Sequence, residues 1–257
     1  MSEEVLSFYD HLADSYHLIF TDWQQAIEWQ GETLDAFIRR SVGLADAKGV
    51  SLLDCSCGIG TQAIGLAMRG YEVTATDLSP QSIARARREA ESIGAAIQFG
   101  IADFRYLDRQ VEGRFNIVLT ADNAIPHLLE DADLAAAARG LYAKTAEDGL
   151  LVATIRDYDA LVLEAQSGTL PRMLDNGNRI VFQVWEWAED RKTYYANQFI
   201  LRADGSGWET QSYRTPYRAL LRKELAEFLR EAGFSDIAWH MPEDSGYYQP
   251  IVTARRA

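Results

Sequence analysis

Along the first forty positions, apolar residues recur at the three-four spacing of an amphipathic helix. Val5, Tyr9, Leu12, Tyr16, Ile19 and Trp23 mark one face, and Ile27, Leu34, Ile38 and Val42 mark a second. From residue 50 the rhythm changes to short apolar runs separated by helical periods. Strands are expected near 50–54, 71–76, 96–100, 115–119 and 149–155, with helices near 60–69, 80–93 and 130–146. Such alternation indicates a parallel sheet with helices on both faces. Ser79-Pro80 sets a capping hydroxyl before a proline at the first helical position, and Gly70 and Gly94 stand where helices stop.

Beyond Asp159 the pattern changes again. Runs at 180–187, 193–201 and 208–217 are rich in β-branched and aromatic residues, with turn signals at Glu189-Asp190-Arg191-Lys192 and Asp204-Gly205-Ser206-Gly207. Three antiparallel strands inserted into the parallel core are expected. Leu221, Leu225, Phe228 and Leu229 mark one more helix, stopped by Gly233, and closing strands are expected near 235–241 and 249–255. The chain thus reads as one compact unit: a helical cap (1–48), an α/β core (49–159 and 220–257) and an antiparallel β insertion acting as a lid (160–219).

Composition narrows the partners. The 257 residues carry a formal net charge of −13, which disfavours nucleic acid and anionic membranes and suits a small cationic or zwitterionic ligand. No run is long and apolar enough to span a bilayer, and the start Met1-Ser2-Glu3-Glu4 lacks a signal peptide's basic and apolar regions. Only Cys55 and Cys57 are present, too few for a disulfide framework, so a cytoplasmic protein is expected. The four histidines, His11, His17, His127 and His240, show no ligand spacing around them, and no metal is expected.

The segment from Leu52 to Gln62 reads as a strand, an acidic residue and a glycine-rich turn opening a helix. Gly58 and Gly60 let the backbone turn sharply and approach a ligand. Gly58-Ile59-Gly60-Thr61-Gln62-Ala63 fits the dinucleotide fingerprint, with Asp77 at roughly the 20-residue spacing of a ribose-binding acid, so NAD is one possible owner. Asp54, ahead of the turn, is unwelcome beside phosphates but suits a sulfonium cofactor carrying an ammonium group. After the third strand, Asp103 offers an acceptor to an adenine amino group, and Phe104 or Ile101 a cover for the ring. Together with flanking lid elements, these features favour S-adenosylmethionine over NAD.

Asp54 through Gln62, Asp77, Asp103 and the strand Asn116 to Thr120 resemble the motifs of class I S-adenosylmethionine-dependent methyltransferases. The resemblance implies a Rossmann-like α/β fold, with a seven-stranded sheet whose last strand is antiparallel. It implies that Gly58, Gly60 and Thr61 border the methionine portion, that Asp77 binds the ribose, and that Asp103 and Phe104 bind the adenine. Gln62, Leu78, Ala102 and Thr120 are expected beside them, and Tyr16 and Trp23 as an aromatic wall against the sulfonium.

A narrower resemblance is to the glycine and glycine/sarcosine N-methyltransferases. Asp122-Asn123-Ala124-Ile125-Pro126-His127-Leu128 resembles their Gly-Asn-Ser-x-x-His-Leu, and Arg156-Asp157-Tyr158-Asp159 their Arg-Asn-Tyr-Asp. Ser212-Tyr213 resembles a Ser-Tyr pair before their final helix. It implies that Arg156 grips an amino acid carboxylate while Asn123 and Tyr213 orient the substrate. The competing reading of Arg156 is a structural pair with Asp157 or Asp159. His127 reads either as a base or as a buried histidine bonded to backbone. Ile155, Asp157 and Asp122 depart from the family's His, Asn and Gly, and Asp122 would also admit a larger amine or another cation.

The expected activity is direct methyl transfer to a small amine or amino acid, with no dedicated base. The alternatives are a methyltransferase of a larger acceptor at oxygen, sulfur or nitrogen, a non-catalytic sensor of the methyl donor, and an NAD dehydrogenase.

Overall fold

Successive residues of the central strand face opposite layers, because side chains alternate along a strand. Leu52 joins a cluster with Leu34, Phe37 and Leu66, whereas Leu53 joins one with Leu134, Leu141 and Leu225. The computed structural model describes residues 3–164 and 166–256. Among these, numbered in chain order, the main sheet comprises β1 (Ser51–Asp54), β2 (Glu72–Asp77), β3 (Ile97–Ile101), β4 (Phe115–Thr120), β5 (Thr145–Thr154), β10 (Ser235–His240) and β11 (Ile251–Arg255). Their order is β10-β11-β5-β4-β1-β2-β3, and β11 runs antiparallel to both its neighbours. The strand order reverses between β1 and β4, which is where an open α/β sheet leaves a crevice for ligands.

The helices are α1 (Glu3–Leu12), α2 (Trp23–Val42), α3 (Thr61–Ala67), α4 (Pro80–Ser92), α5 (Leu107–Gln110), α6 (Asp131–Lys144), α7 (Tyr158–Glu164), α8 (Arg222–Glu231) and α9 (Pro242–Ser245). The expected continuous helical face from Val5 to Trp23 is broken. A short 3-10 turn occupies Tyr16–Ile19, Phe20 is extended, and the Asp22 side chain caps α2 by accepting from the Gln25 amide. The helical spacing continued across the break because both pieces pack their aromatics inward.

The inserted strands form a separate sheet, β6 (Arg172–Leu174), β7 (Arg179–Trp187), β8 (Thr193–Ala203) and β9 (Trp208–Arg218), rather than joining the parallel one. Its edge strand β6 and the helices α5, α7 and α9 were not foreseen; none of the three helices exceeds two turns. No helix among the described residues is long and apolar enough to cross a membrane.

Two glycines bind the N-terminal helices to the core. A Cβ on Gly65 of α3 would stand 2.5 Å from the Ile27 carbonyl oxygen and 2.9 Å from the Gly31 Cα of α2. The two helix backbones therefore touch, and α2 has a fixed seat above the glycine turn.

Candidate active site

Gly60 opens α3 in the left-handed region at φ 95°, and a Cβ there would stand 3.0 Å from Ile64 Cδ1. Glycine is thus required by both backbone and space. Gly58, also left-handed at φ 52°, donates its amide to Asp77 Oδ2 at 2.8 Å. The other Asp77 oxygen accepts from the Ser79 amide at 2.9 Å. Burial raises the Asp77 carboxyl above its usual range, against the pull of these amides. Asp54 lies beneath the turn, 1% exposed. Its Oδ1 accepts from the Ser56 amide at 3.2 Å, while its Oδ2 is buried without a partner. Burial pushes this carboxyl up to about 8.

A small cavity of about 50 Å³ sits over the turn. Tyr16, Gly58, Thr61, Gln62, Asp77, Leu78, Phe104 and His127 are among the residues that line it. Gly60, Asp54, Ala102, Asp103 and Thr120 stand behind its wall and do not line it. Asp103 accepts a guanidinium fork from Arg105, with contacts of 2.6 to 3.1 Å, and Arg105 also bridges to Asp133. Thr120 shares a hydrogen bond with Ser56 at 3.0 Å. Trp23 lines neither cavity; its indole donates to Thr61 Oγ1 at 2.9 Å and pins α2 to the start of α3.

Tyr9 and Tyr16 roof the cavity, stacked with ring centroids 6.4 Å apart. Tyr9, which the sequence reading placed only on a packing face, donates its hydroxyl to His127 Nε2 at 2.8 Å. The opposite nitrogen, Nδ1, lies 3.0 Å from the Pro216 carbonyl oxygen and so carries the proton. Burial drives His127 down to about 3, leaving a neutral imidazole. With both nitrogens engaged it is a brace for Tyr9, not a free base.

The small cavity opens into a cleft of about 1090 Å³ that includes Asn123 and Arg156. Arg156 forms no ion pair with any carboxylate among the described residues. Its guanidinium donates to the Tyr194 hydroxyl at 2.6 Å and to Gln183 Oε1 at 3.0 Å, and lies 5.0 and 5.2 Å from the Trp185 and Tyr217 ring centroids. Cation–π contacts of this kind contribute roughly 0.5–2 kcal/mol each, less than the roughly 4 kcal/mol of an opposite charge at close range. These contacts are all to neutral groups, so the guanidinium charge is left to be paired by an incoming anion. Asp157 and Asp159 both pair with Arg222 instead.

Asn123 is largely spent on structure. It accepts the Arg156 amide at 3.0 Å and donates to the Tyr158 hydroxyl at 2.9 Å, tying the end of β4 to the end of β5. Tyr213 lines neither cavity: it packs against Phe8 and donates to Gln211. Four residues along β9, Tyr217 occupies the cleft instead. The sequence reading missed Tyr217, Tyr194 and Trp185, which carry no signal beyond strand alternation.

Asp122 lines both cavities, as do Tyr9 and Tyr16. It and Asn123 adopt left-handed backbone, φ 57° and 68°, a conformation Asp and Asn tolerate better than most residues. Its carboxylate accepts hydrogen bonds from Tyr247 at 2.9 Å, Gln62 at 2.7 Å and Tyr248. Burial raises this carboxyl, opposed by those three donors and by the Arg156 charge.

The polar groups suit S-adenosylmethionine better than a dinucleotide. Asp77 and Asp122 line the small cavity, and no arginine or lysine stands in its lining to neutralise phosphates. Asp54 Oδ2 is a buried polar atom left without a partner beneath the turn, and the Gly60 turn is a cradle that a Cβ would crowd.

Comparison with known proteins agrees. Residues 52–149 match the family described as methyltransferase domain. A glycine/sarcosine N-methyltransferase of Parasynechococcus marenigrum is 33% identical over 157 residues, which is 60% of this chain and 55% of that protein, about half its length. The glycine/sarcosine N-methyltransferase of Aphanothece halophytica is 23% identical over 93% of this chain and 87% of its own. Among solved structures, CalS10, an amino pentose methyltransferase from Micromonospora echinaspora, aligns with a TM-score of 0.69 at 21% identity, over 89% of this chain and 92% of that one.

Proposed function

Since the chain carries the class I S-adenosylmethionine-dependent methyltransferase domain, we propose that it transfers a methyl group to the nitrogen of a small amine bearing a carboxylate. The observation that carries this reading is Arg156: a fixed guanidinium, without a carboxylate partner among the described residues, at the floor of the cleft. A substrate carboxylate would complete its ion pair in bidentate fashion. The cleft and the small cavity share Tyr9, Tyr16 and Asp122, so an acceptor held at Arg156 would sit in the space beside the glycine turn.

Bound S-adenosylmethionine supplies an electrophilic methyl group on a sulfonium sulfur. The chain's own work is to hold the two partners in line and dry. Gly58 and Thr61, with Gly60 behind them, would border the methionine portion, Asp77 would take the ribose, and Phe104 would face the adenine with Asp103, paired to Arg105, behind it. Tyr9 and Tyr16 close over the turn, the first braced by His127. The described residues of segments 1–48 and 160–219 flank the cleft as a lid on the α/β core.

A second reading rests on the cleft's volume, about 1090 Å³, far more than glycine needs. It allows a larger carboxylated amine with the same two anchoring ends. Incubation with S-adenosylmethionine and a panel of amino acids, amines, phenols and thiols, read by mass, tests both. Methylation on an amine nitrogen supports the proposal, and the size of the best acceptor separates the readings. Product on oxygen or sulfur only, or tight binding with no turnover, would overturn it.

A further inference from the structure

Asp122 is the feature that this reading leaves without a role. Its carboxylate lines both cavities and is held from two sides. Gln62 reaches it from α3, while Tyr247 and Tyr248 reach it from the loop ahead of β11. Because β11 is antiparallel, its first residue Ile251 lies beside Thr154 at the end of β5, which brings that loop to the ligand edge of the sheet. Tyr247 stacks on Trp29 at 5.9 Å with rings 8° from parallel, and Tyr248 packs 4.6 Å from Tyr247. Those rings fix the orientation of both hydroxyls. Gln62 is itself held by Gln30 at 2.7 Å. Its backbone is left-handed, and Arg156, which lines the same cleft, is a cation in its field.

We propose that Asp122 is the amine-recognising residue of the transfer site, accepting an N–H of the acceptor's amine and taking its proton, while Arg156 holds the same molecule's carboxylate. This rests on the methyl-transfer reading and adds the accepting atom to it: a primary or secondary amine, presented as a zwitterion between two fixed opposite charges. The balance closes. The substrate ammonium gives one proton to the Asp122 carboxylate, and the neutral nitrogen's lone pair forms the bond to the methyl carbon. The carbon–sulfur bond breaks with its electron pair remaining on sulfur, and the product leaves as the methylated ammonium. The proton on Asp122 returns to solvent through the cleft. Burial, which favours the neutral carboxyl, makes Asp122 a competent acceptor for it.

The test compares wild type, Asp122→Asn and Tyr248→Phe. Amino acids are paired with their des-amino counterparts (glycine with acetate, β-alanine with propionate), and S-adenosylhomocysteine is the binding probe. Asp122→Asn should lower kcat on the amine acceptor by about 100-fold, the range of a lost acid–base group. Its affinity for S-adenosylhomocysteine should stay within about threefold, which also reports a folded site. Tyr248→Phe, at an exposed position, should lower kcat by about three- to tenfold with the same unchanged probe affinity. In wild type, the amino acids should compete for the cleft and the des-amino acids should compete weakly.

Wild-type turnover of an amine that Asp122→Asn and Tyr248→Phe both retain would overturn the Asp122 assignment and leave the transfer reading standing. Wild-type methylation of oxygen or sulfur alone would overturn both.

Discussion

The hydroxyl of Tyr9 stands 2.8 Å from Nε2 of His127, so helix α1 is latched to the segment that follows β4. The Pro216 carbonyl decides the tautomer of the neutral imidazole: with Nδ1–H given to it, Nε2 can only accept, and Tyr9 donates.

Removing the latch has a defined cost. Tyr9→Phe leaves a buried Nε2 without its donor, and about 1–3 kcal/mol of stability should be lost. Urea unfolding measures this. The N-terminal helix should also be cleaved faster by protease, with added S-adenosylhomocysteine restoring protection.

Two buried groups set opposite pH dependences. His127, depressed to about 3, stays neutral in the fold while the unfolded chain takes up its proton below about 6.5. The unfolded state binds more protons in that window, so stability falls as pH drops through it. Asp54, raised to about 8, keeps its proton in the fold while the unfolded carboxyl has lost it above about 4. Here the native state binds more, so stability falls as pH rises from about 4 to 8. Asp54→Asn should remove the second decline, on the order of 2–5 kcal/mol, and leave the first. Denaturant midpoints at pH 5 and 8 for both proteins check this.

Arg156→Ala should raise the KM of a carboxylated acceptor by about 100-fold, the equivalent of roughly 3 kcal/mol for a charge-assisted bidentate contact. Arg156→Lys should not restore it, because an ammonium cannot reach Tyr194, Gln183 and a carboxylate in one plane. Affinity for S-adenosylhomocysteine should be unchanged in both. Equal loss of acceptor and cofactor affinity would make Arg156 structural.

Gly65→Ala forces a Cβ to within 2.5 Å of the Ile27 carbonyl oxygen, a backbone atom that cannot rotate away. Helices α2 and α3 must separate, and a loss of about 2–4 kcal/mol is expected by overpacking. Since α2 seats Trp23 on Thr61, cofactor affinity should fall with it, measurable by calorimetry.

Much of the scaffold was legible before any coordinates. The alternation of strand and helix, the glycine turn and Asp77 at the next strand's end follow from local rules that a linear chain displays. Elements of three or four residues, β6 and α9, show no period and escaped notice. Tyr213 and Tyr217 sit two alternations apart on the same face of β9, so pattern could not say which meets the cleft; the turn of the sheet toward the core decides it. Tyr247 and Tyr248 were within reach, since an antiparallel last strand places its preceding loop at the ligand edge.

By itself, then, the sequence determined the layered sheet, the glycine turn and the residues around it, because periodicity and turn chemistry act between near neighbours. Only the tertiary structure decided that Arg156 has no carboxylate partner among the described residues while Asp157 and Asp159 share Arg222, and that Asp122 lines both cavities. Charge pairing and desolvation depend on distances between residues far apart in the chain, and those distances exist only once the chain has folded.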